Sequence, residues 1–294
     1  MWSEEEIEAR FNALNLPADR QWENLKLSND FLFGKVMRTK KACTEMMRRI
    51  FPDEKIEGIK FVSLQKAVKS GLDSRGVRFD MYIEAENRKV YDVEIQTTDS
   101  PGLAKRTRAY HLAMGSDILE QKRKYRELPE AFVIFICTFD PFGKGRYVYT
   151  FRNFCAEDKS IALDDGGTTV FLNAYGKDEA VTPELKALLD FVVGRTCGDP
   201  YIKYLERRMN IARQNANWRR EYMIANIRES YVRYDEHVKA FAEGKVEGIA
   251  EGIARGKYSQ QLDTARSMIA WGFDENTIHA LLKLPVDEIK RLNP

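Results

Sequence analysis

Apolar positions along the chain change period twice, and each change marks a new kind of element. Glu4 to Leu16 reads as helix and closes at Leu16-Pro17, because a residue before proline avoids the α region. A second helical stretch opens at Ser28-Asn29-Asp30, which offer N-caps, and carries Phe33, Val36, Met37, Met46, Met47 and Ile50 to Phe51-Pro52. Thr39-Lys40-Lys41-Ala42 is a candidate break within it. The period then shortens to two. Ile59–Leu64 predicts a short strand, and Val77–Glu84 and Val90–Gln96 alternate around Glu86-Asn87-Arg88, which predicts a hairpin. After Ser100-Pro101-Gly102 a helix is expected from Leu103 to about Tyr125, with Leu103, Ala104, Tyr110, Leu112, Ala113, Ile118 and Leu119 available for packing. Ala131–Thr138 is apolar throughout, as in a strand buried on both faces. Arg146–Phe151 and Val170–Asn173 are further strand candidates.

Helices followed by strands around a crossover helix predict an α/β (α+β) domain ending near Gly194. Beyond Pro200 the chain reads as helix. Gly244, Gly248, Gly252 and Gly256 recur every four residues, which suits either a bare helix side for close approach of another backbone or a flexible linker. Tyr258 to Leu292 predicts three short helices, the first ended by Gly272 and the last opened by Pro285. The expected organisation is an N-terminal helical extension over 1–24, a core over 25–195, a basic aromatic helical segment over 196–240, and a glycine-repeat helix with a small helical module over 241–294.

Composition narrows the function classes. With 294 residues, 44% hydrophobic and 31% charged, the chain is that of a soluble globular protein. No run approaches a membrane span, and the acidic start Ser3-Glu4-Glu5-Glu6 lacks the basic-then-apolar form of a signal peptide, so the expected address is the cytoplasm. Cys43, Cys137, Cys155 and Cys197 form no CxxC and read as reduced, mostly buried thiols. His111, His237 and His279 lie far apart, so any metal chemistry must use carboxylates. No P-loop, GxSxG or dinucleotide fingerprint is present. The net charge of +2 conceals a run from Lys203 to Arg233 with a net charge of +5, interleaved with Tyr204, Trp218, Tyr222 and Tyr231. Arg213, Arg219 and Arg220 in it are candidates for a phosphate backbone, or equally for a solvated helix whose arginines lie over a packed face.

The hairpin carries the candidate chemistry. If its turn centres on Asn87, antiparallel partners sum to 174, so Asp80 faces Glu94 at roughly 4.5–5.5 Å between Cβ atoms. Asp92 and Gln96 share that face, while Phe79, Met81, Ile83, Tyr91, Val93 and Ile95 point to the core. Opposed carboxylates repel unless a cation lies between them, and oxygen ligands favour Mg²⁺, Mn²⁺ or Ca²⁺. The alternative is a polar, solvent-facing side of a half-buried hairpin.

Asp80, Glu94-Ile95-Gln96 on the next strand, and Ser100–Tyr110 opening a helix resemble the PD-(D/E)XK nuclease superfamily, and more narrowly its Rpn branch of recombination-promoting, transposase-like nucleases. Leu27–Lys35 is similar to the start of that family's first helix, and Ala265–Leu292 to its helical C-terminus. The resemblance implies a restriction-endonuclease-like core, a small mixed sheet flanked by helices, with an all-helical tail. It also implies metal-dependent DNA endonuclease activity, in recombination, transposition or phage defence, with Mg²⁺ held by Asp80, Glu94 and the Ile95 carbonyl. Gln96 stands where most of the superfamily has lysine, and glutamine can orient a water but cannot neutralise charge. Lys105, Arg106 and Arg108 are candidates for the scissile phosphate, with Tyr110 beside it; a solvated basic turn is the other reading. Asp30 could approach the metal or cap its helix. Two rivals to the nuclease reading are a nucleic-acid-binding protein without catalysis and a homodimer built on the glycine-repeat helix.

Overall fold

The computed structural model describes residues 2–68, 77–119, 124–177 and 181–292, with side chains at all of these except 19, 65–68, 77 and 117–119. Two compact units divide it, residues 1–224 and 225–294.

In the first unit, α1 (Glu4–Asn12) begins with a capping box in which the Ser3 hydroxyl and Glu6 carboxylate each accept the other's backbone N–H. Asn29 caps α2 (Asp30–Met37) and Thr39 caps α3 (Lys40–Ile50), so the break expected at Thr39 is a helix start. Among the described residues six strands follow: β1 (Ile59–Val68), β2 (Val77–Ala85), β3 (Val90–Gln96), β4 (Ala131–Cys137), β5 (Val148–Phe151) and β6 (Gly167–Asn173). Between β3 and β4 runs α4 (Leu103–Leu119). The expected continuation of α4 over 120–123 falls outside the described residues, as do the side chains of Ile118 and Leu119. Thr182 caps α5 (Pro183–Val192), and Asp199 caps α6 (Pro200–Arg213). The buried Arg49 of α3 reaches the Asp199 carboxylate at 2.9 Å, fastening α3 to the start of α6.

The sheet order is β1-β2-β3-β4-β6-β5. Antiparallel pairs β1–β2, β2–β3 and β5–β6 flank a parallel centre in which β4 runs beside β3 and β6. A parallel neighbour needs a long crossover, which α4 supplies. The central position of β4 explains why its run from Phe132 to Cys137 is buried on both sides.

One sheet face presents Met81, Ile83, Tyr91, Val93, Phe132 and Ile134 away from α4; there Phe51 packs on Tyr91 and Phe132. The other face lies under α4, whose Leu103, Tyr110, Ala113 and Met114 join Tyr82, Val90, Val133, Phe135 and Phe171 in one buried cluster. Phe79 departs from expectation. Its ring contacts Tyr82 and Tyr110, so it packs on the α4 side. The cause is local: regular β2–β3 pairing runs from Glu84↔Val90 to Met81↔Val93, and at Asp80 the strand's N–H turns to a side chain.

The chain passes between the two units within α7 (Ala216–Ala270), a helix of 55 residues. It stays helical through Gly244, Gly248, Gly252 and Gly256, which replaces the linker reading; a Cβ at any of them would meet no atom within 4 Å. The second unit closes with α8 (Glu275–Leu282), capped by Asp274, and α9 (Val286–Leu292). Ala265, Met268, Ile278, Leu284 and Ile289 form its core. Among the thiols, Cys43 and Cys137 are buried but Cys197 is exposed. Among the described residues no helix is long and apolar enough to cross a membrane.

Candidate active site

The hairpin pairs in the expected register, with Tyr82 opposite Asp92 and Met81 opposite Val93. One step further, side chains replace the backbone ladder. Glu94 Oε1 accepts the Asp80 backbone N–H at 2.8 Å, and the Asp80 carboxylate takes a hydrogen bond from the Ile95 N–H. The strands splay at Asp80, and each carboxylate satisfies a backbone donor of the other strand.

These acids are not on a solvated face. Glu94 is 3% exposed and Asp92 is fully buried, so the solvent-facing reading of the hairpin is overturned: α4 covers this side. Burial, then the charges of Glu94 and Asp30, push the Asp80 carboxyl up to about 7. Burial also raises Glu94, opposed by the Asp80 N–H, the Tyr110 hydroxyl and the Arg106 charge. Asp92 lies well above the carboxylate range, through burial, then the neighbouring Glu94 charge and a side-chain hydrogen bond to Glu94.

From α4, Tyr110 donates to Glu94 Oε2 at 2.9 Å. Arg106 reaches three groups: Gln96 Oε1 at 2.9 Å, the Tyr110 hydroxyl at 3.0 Å and Glu94 Oε2 at 3.6 Å. The spacing i, i+4 sets Arg106 and Tyr110 on one helix face, a signal that the sequence carries and that a reading of basic residues alone overlooks. Gln96 is engaged at both ends of its amide, since its Nε2 also donates to Thr98 O at 2.6 Å. In this geometry the glutamine holds an arginine, and that arginine brings positive charge to the position beside Glu94.

The remaining candidates separate. Asn29, not Asp30, caps α2; Asp30 is exposed, and its charge is felt at Asp80. Lys105 and Arg108 are exposed and lie off the Arg106 face. Arg213, Arg219 and Arg220 are engaged within the fold. Arg213 Nη2 donates to Leu25 O at 2.6 Å, Arg219 pairs with Glu8 at 3.0 Å and Glu23 at 3.5 Å, and Arg220 reaches Trp2 O at 3.5 Å.

Among the described residues no group of three or more His, Cys, Asp and Glu side chains forms a metal-holding cluster. Two carboxylates nonetheless suit Mg²⁺, which keeps several waters and commonly takes only one or two protein carboxylates. The Glu94 charge that helps to raise the Asp80 carboxyl is one that a cation between the two would offset.

A family model described as PD-(D/E)XK nuclease family transposase matches residues 28–173. That span runs from the cap of α2 to the end of β6 and includes every hairpin acid and the Arg106–Tyr110 pair. No curated protein and no solved structure matches the chain.

Proposed function

Through residues 28–173 the chain belongs to the PD-(D/E)XK nuclease family transposases, and on that premise we propose that it is a divalent-metal-dependent DNA endonuclease acting in recombination, transposition or phage defence. The observation that carries this reading is the pair of buried Glu94 and half-buried Asp80, cross-bonded to the opposite strand and roofed by Tyr110 and Arg106.

Asp80, Glu94 and the Ile95 carbonyl would hold the ion, Mg²⁺ first and Mn²⁺ or Ca²⁺ as alternatives. When bound, a divalent ion lowers the pKa of water and screens phosphate charge. The protein's own groups do the rest. Tyr110 and the Asp80 N–H hold the Glu94 carboxylate by its two oxygens, fixing its direction and favouring its ionised form. Arg106, fastened by Gln96, offers guanidinium donors to a phosphate whose negative charge grows as the bond breaks. Asp92, held neutral by burial, avoids adding a third buried negative charge.

The test is relaxation and linearisation of supercoiled plasmid with Mg²⁺ or Mn²⁺, with and without chelator. Asp80→Ala and Glu94→Gln are each expected to abolish cleavage, Asp80→Ala while melting no earlier than wild type in chelator and Glu94→Gln while keeping an acceptor for the Asp80 N–H. Cleavage by either variant at the wild-type rate would remove the site assignment. Gln96 in place of lysine, with its amide already committed, favours a second reading in which DNA is bound but not cut; a wild-type protein that binds in Ca²⁺ and never cleaves gives that outcome.

A further inference from the structure

A cleft of about 580 Å³ opens on the side of α4 away from the acids, between that helix and the β5–β6 end of the sheet. Residues at helical spacing separate the two regions. Leu103, Arg106, Tyr110, Ala113 and Met114 turn to the sheet and the acids, whereas Ala104, Thr107, Arg108, His111 and Gly115 line the cleft. Consecutive residues of one helix, Arg106 and Thr107, therefore border the two regions.

The cleft has an aromatic corner. Phe142 meets Phe171 edge-on at 5.1 Å and Phe151 at 5.0 Å, and Phe151 is 46% exposed. A half-exposed ring held by two others is a stacking platform that is already in position. Two cations border it, because Arg108 and Arg152 line the cleft, are exposed, and make no ion pair or hydrogen bond among the described residues. Among the described residues that line it the acid is Asp165, which accepts from Asn153 Nδ2 at 2.7 Å and from the Gly167 N–H at 3.1 Å. His111 holds Thr169 Oγ1 through Nε2 at 3.0 Å, which leaves Nδ1 facing no partner among the described residues. Flat aromatic surface, unpaired guanidinium groups and a polar ring nitrogen are the complement of a nucleotide, in which a π-face, a phosphate and a hydrogen-bonding edge occur together.

We propose that this cleft takes one nucleotide unit, its base against Phe151 and its phosphate at Arg108 and Arg152, and that it thereby selects DNA with an unpaired base next to the acidic site. The proposal rests on the reading of the protein as a DNA nuclease. The same chemistry has two sources, a base splayed from a strand or a free mononucleotide.

The experiment uses the full chain in EDTA. Anisotropy of a labelled single-stranded 12-mer, the same 12-mer as a duplex, and a duplex with one central unpaired nucleotide measures preference; calorimetry with deoxyadenosine monophosphate measures the free nucleotide. Wild type should bind the single strand and the bulged duplex roughly tenfold more tightly than the perfect duplex, the scale of one stacked base. Gly115→Leu should remove that preference without lowering the melting temperature, because a Cβ at Gly115 meets no atom within 4 Å, leucine is a better helix former, and its side chain fills the cleft. Arg108→Gln/Arg152→Gln should weaken every anionic ligand of the cleft. Mononucleotide that competes with the single strand and no longer binds Gly115→Leu makes the free nucleotide the ligand; preference without competition makes it a strand-borne base. No preference in wild type and no mononucleotide binding, or a preference intact in Gly115→Leu, overturns the proposal. Metal-dependent plasmid cleavage without any such preference defeats the cleft alone, whereas mononucleotide binding without cleavage defeats the nuclease reading alone.

Discussion

The face of the sheet beneath α4 is built by opposite rules at its two ends. Along one rung Glu94 of β3 pairs with Phe135 of β4, and Phe135 with Phe171 of β6. On the rung behind, Tyr82 pairs with Asp92, Asp92 with Val133, and Val133 with Thr169. Within one strand spacing, ~4.8 Å, buried carboxylates give way to stacked aromatic rings, with Phe135 and Phe171 centroids 5.3 Å apart. The aromatic end has the ordinary source of stability, apolar burial. The acidic end works against folding, since ionised carboxylates lose water and repel one another there. The same helix covers both, so the acids are not buried by accident of an edge; they are held under a roof that supplies Tyr110 and Arg106.

The largest expected effect is at the junction of the two ends. Phe135 is fully buried, stacked on Phe171, edge-on to Tyr110, and has the Arg106 guanidinium 5.5 Å from its ring. Phe135→Ala should cost about 3–5 kcal/mol in chemical denaturation, a large part of the stability of a typical domain. A cost below about 1 kcal/mol would mean that the aromatic end is not the anchor of this face.

Next in size is Arg106. Arg106→Ala should slow plasmid cleavage roughly a hundred- to a thousandfold, the usual effect of removing one donor to developing charge. Gln96→Lys alone places two cations together and removes the acceptor that holds Arg106, so it should also be slower than wild type. In the Arg106→Ala background the same lysine should restore part of the rate. Equal rates for Arg106→Ala with and without Gln96→Lys would show that charge at this position is not what the site needs.

The acidic end should also leave a mark on stability. Asp80 folded titrates near 7, above its ordinary value of 3.8, so the folded protein holds a proton that the unfolded chain has released. Without metal, stability from this group is intact below about pH 4, falls as pH rises, and reaches its lower level above about pH 7. Asp80→Asn removes that slope and should be the more stable protein at pH 8 in EDTA, by on the order of 2 kcal/mol after allowance for partial exposure. The difference should vanish at pH 4, and Mg²⁺ should raise the melting temperature of wild type but not of the variant. An equal pH dependence in both proteins would mean Asp80 is ionised without strain.

These contrasts are legible in the sequence only to the depth that periodicity reaches. The register that carries Met81 opposite Val93, and so brings Asp80 within reach of Glu94, follows from a two-residue alternation about Asn87, because pairing in a short hairpin is a local matter. Alternation assigns a residue to a face and says nothing of what covers it, which is why the fully buried Asp92 has no sign in the sequence. The parallel placement of β4 between β3 and β6 depends on residues distant in sequence, and local pattern does not carry it. The start of α5 has a local sign that alternation passes over, the cap and first-turn proline of Thr182-Pro183. Arg106 and Arg108 read as one basic turn from charge alone; two residues apart on a helix they point some 200° apart, and one faces Glu94 while the other lines the cleft.

The smallest expected effect separates two sets of arginines. Charge and aromatic content make Arg219 and Arg220 candidates for DNA, but Arg219 is paired with Glu8 and Glu23, and Arg220 reaches the Trp2 carbonyl. An arginine already paired must give up its carboxylates before it can meet a phosphate. Arg219→Gln/Arg220→Gln should therefore leave the slope of log affinity against log salt unchanged in Ca²⁺, while stability falls by no more than about 1 kcal/mol per pair, as for exposed ion pairs generally. Arg108→Gln removes an unpaired, exposed charge and should reduce the slope measured on single-stranded DNA by roughly 0.7, the value for one neutralised phosphate there. If the double variant flattened the slope and Arg108→Gln did not, the DNA path would run along α6 and α7 instead of across α4, and the basic run from Lys203 to Arg233 would regain the role that its composition suggests.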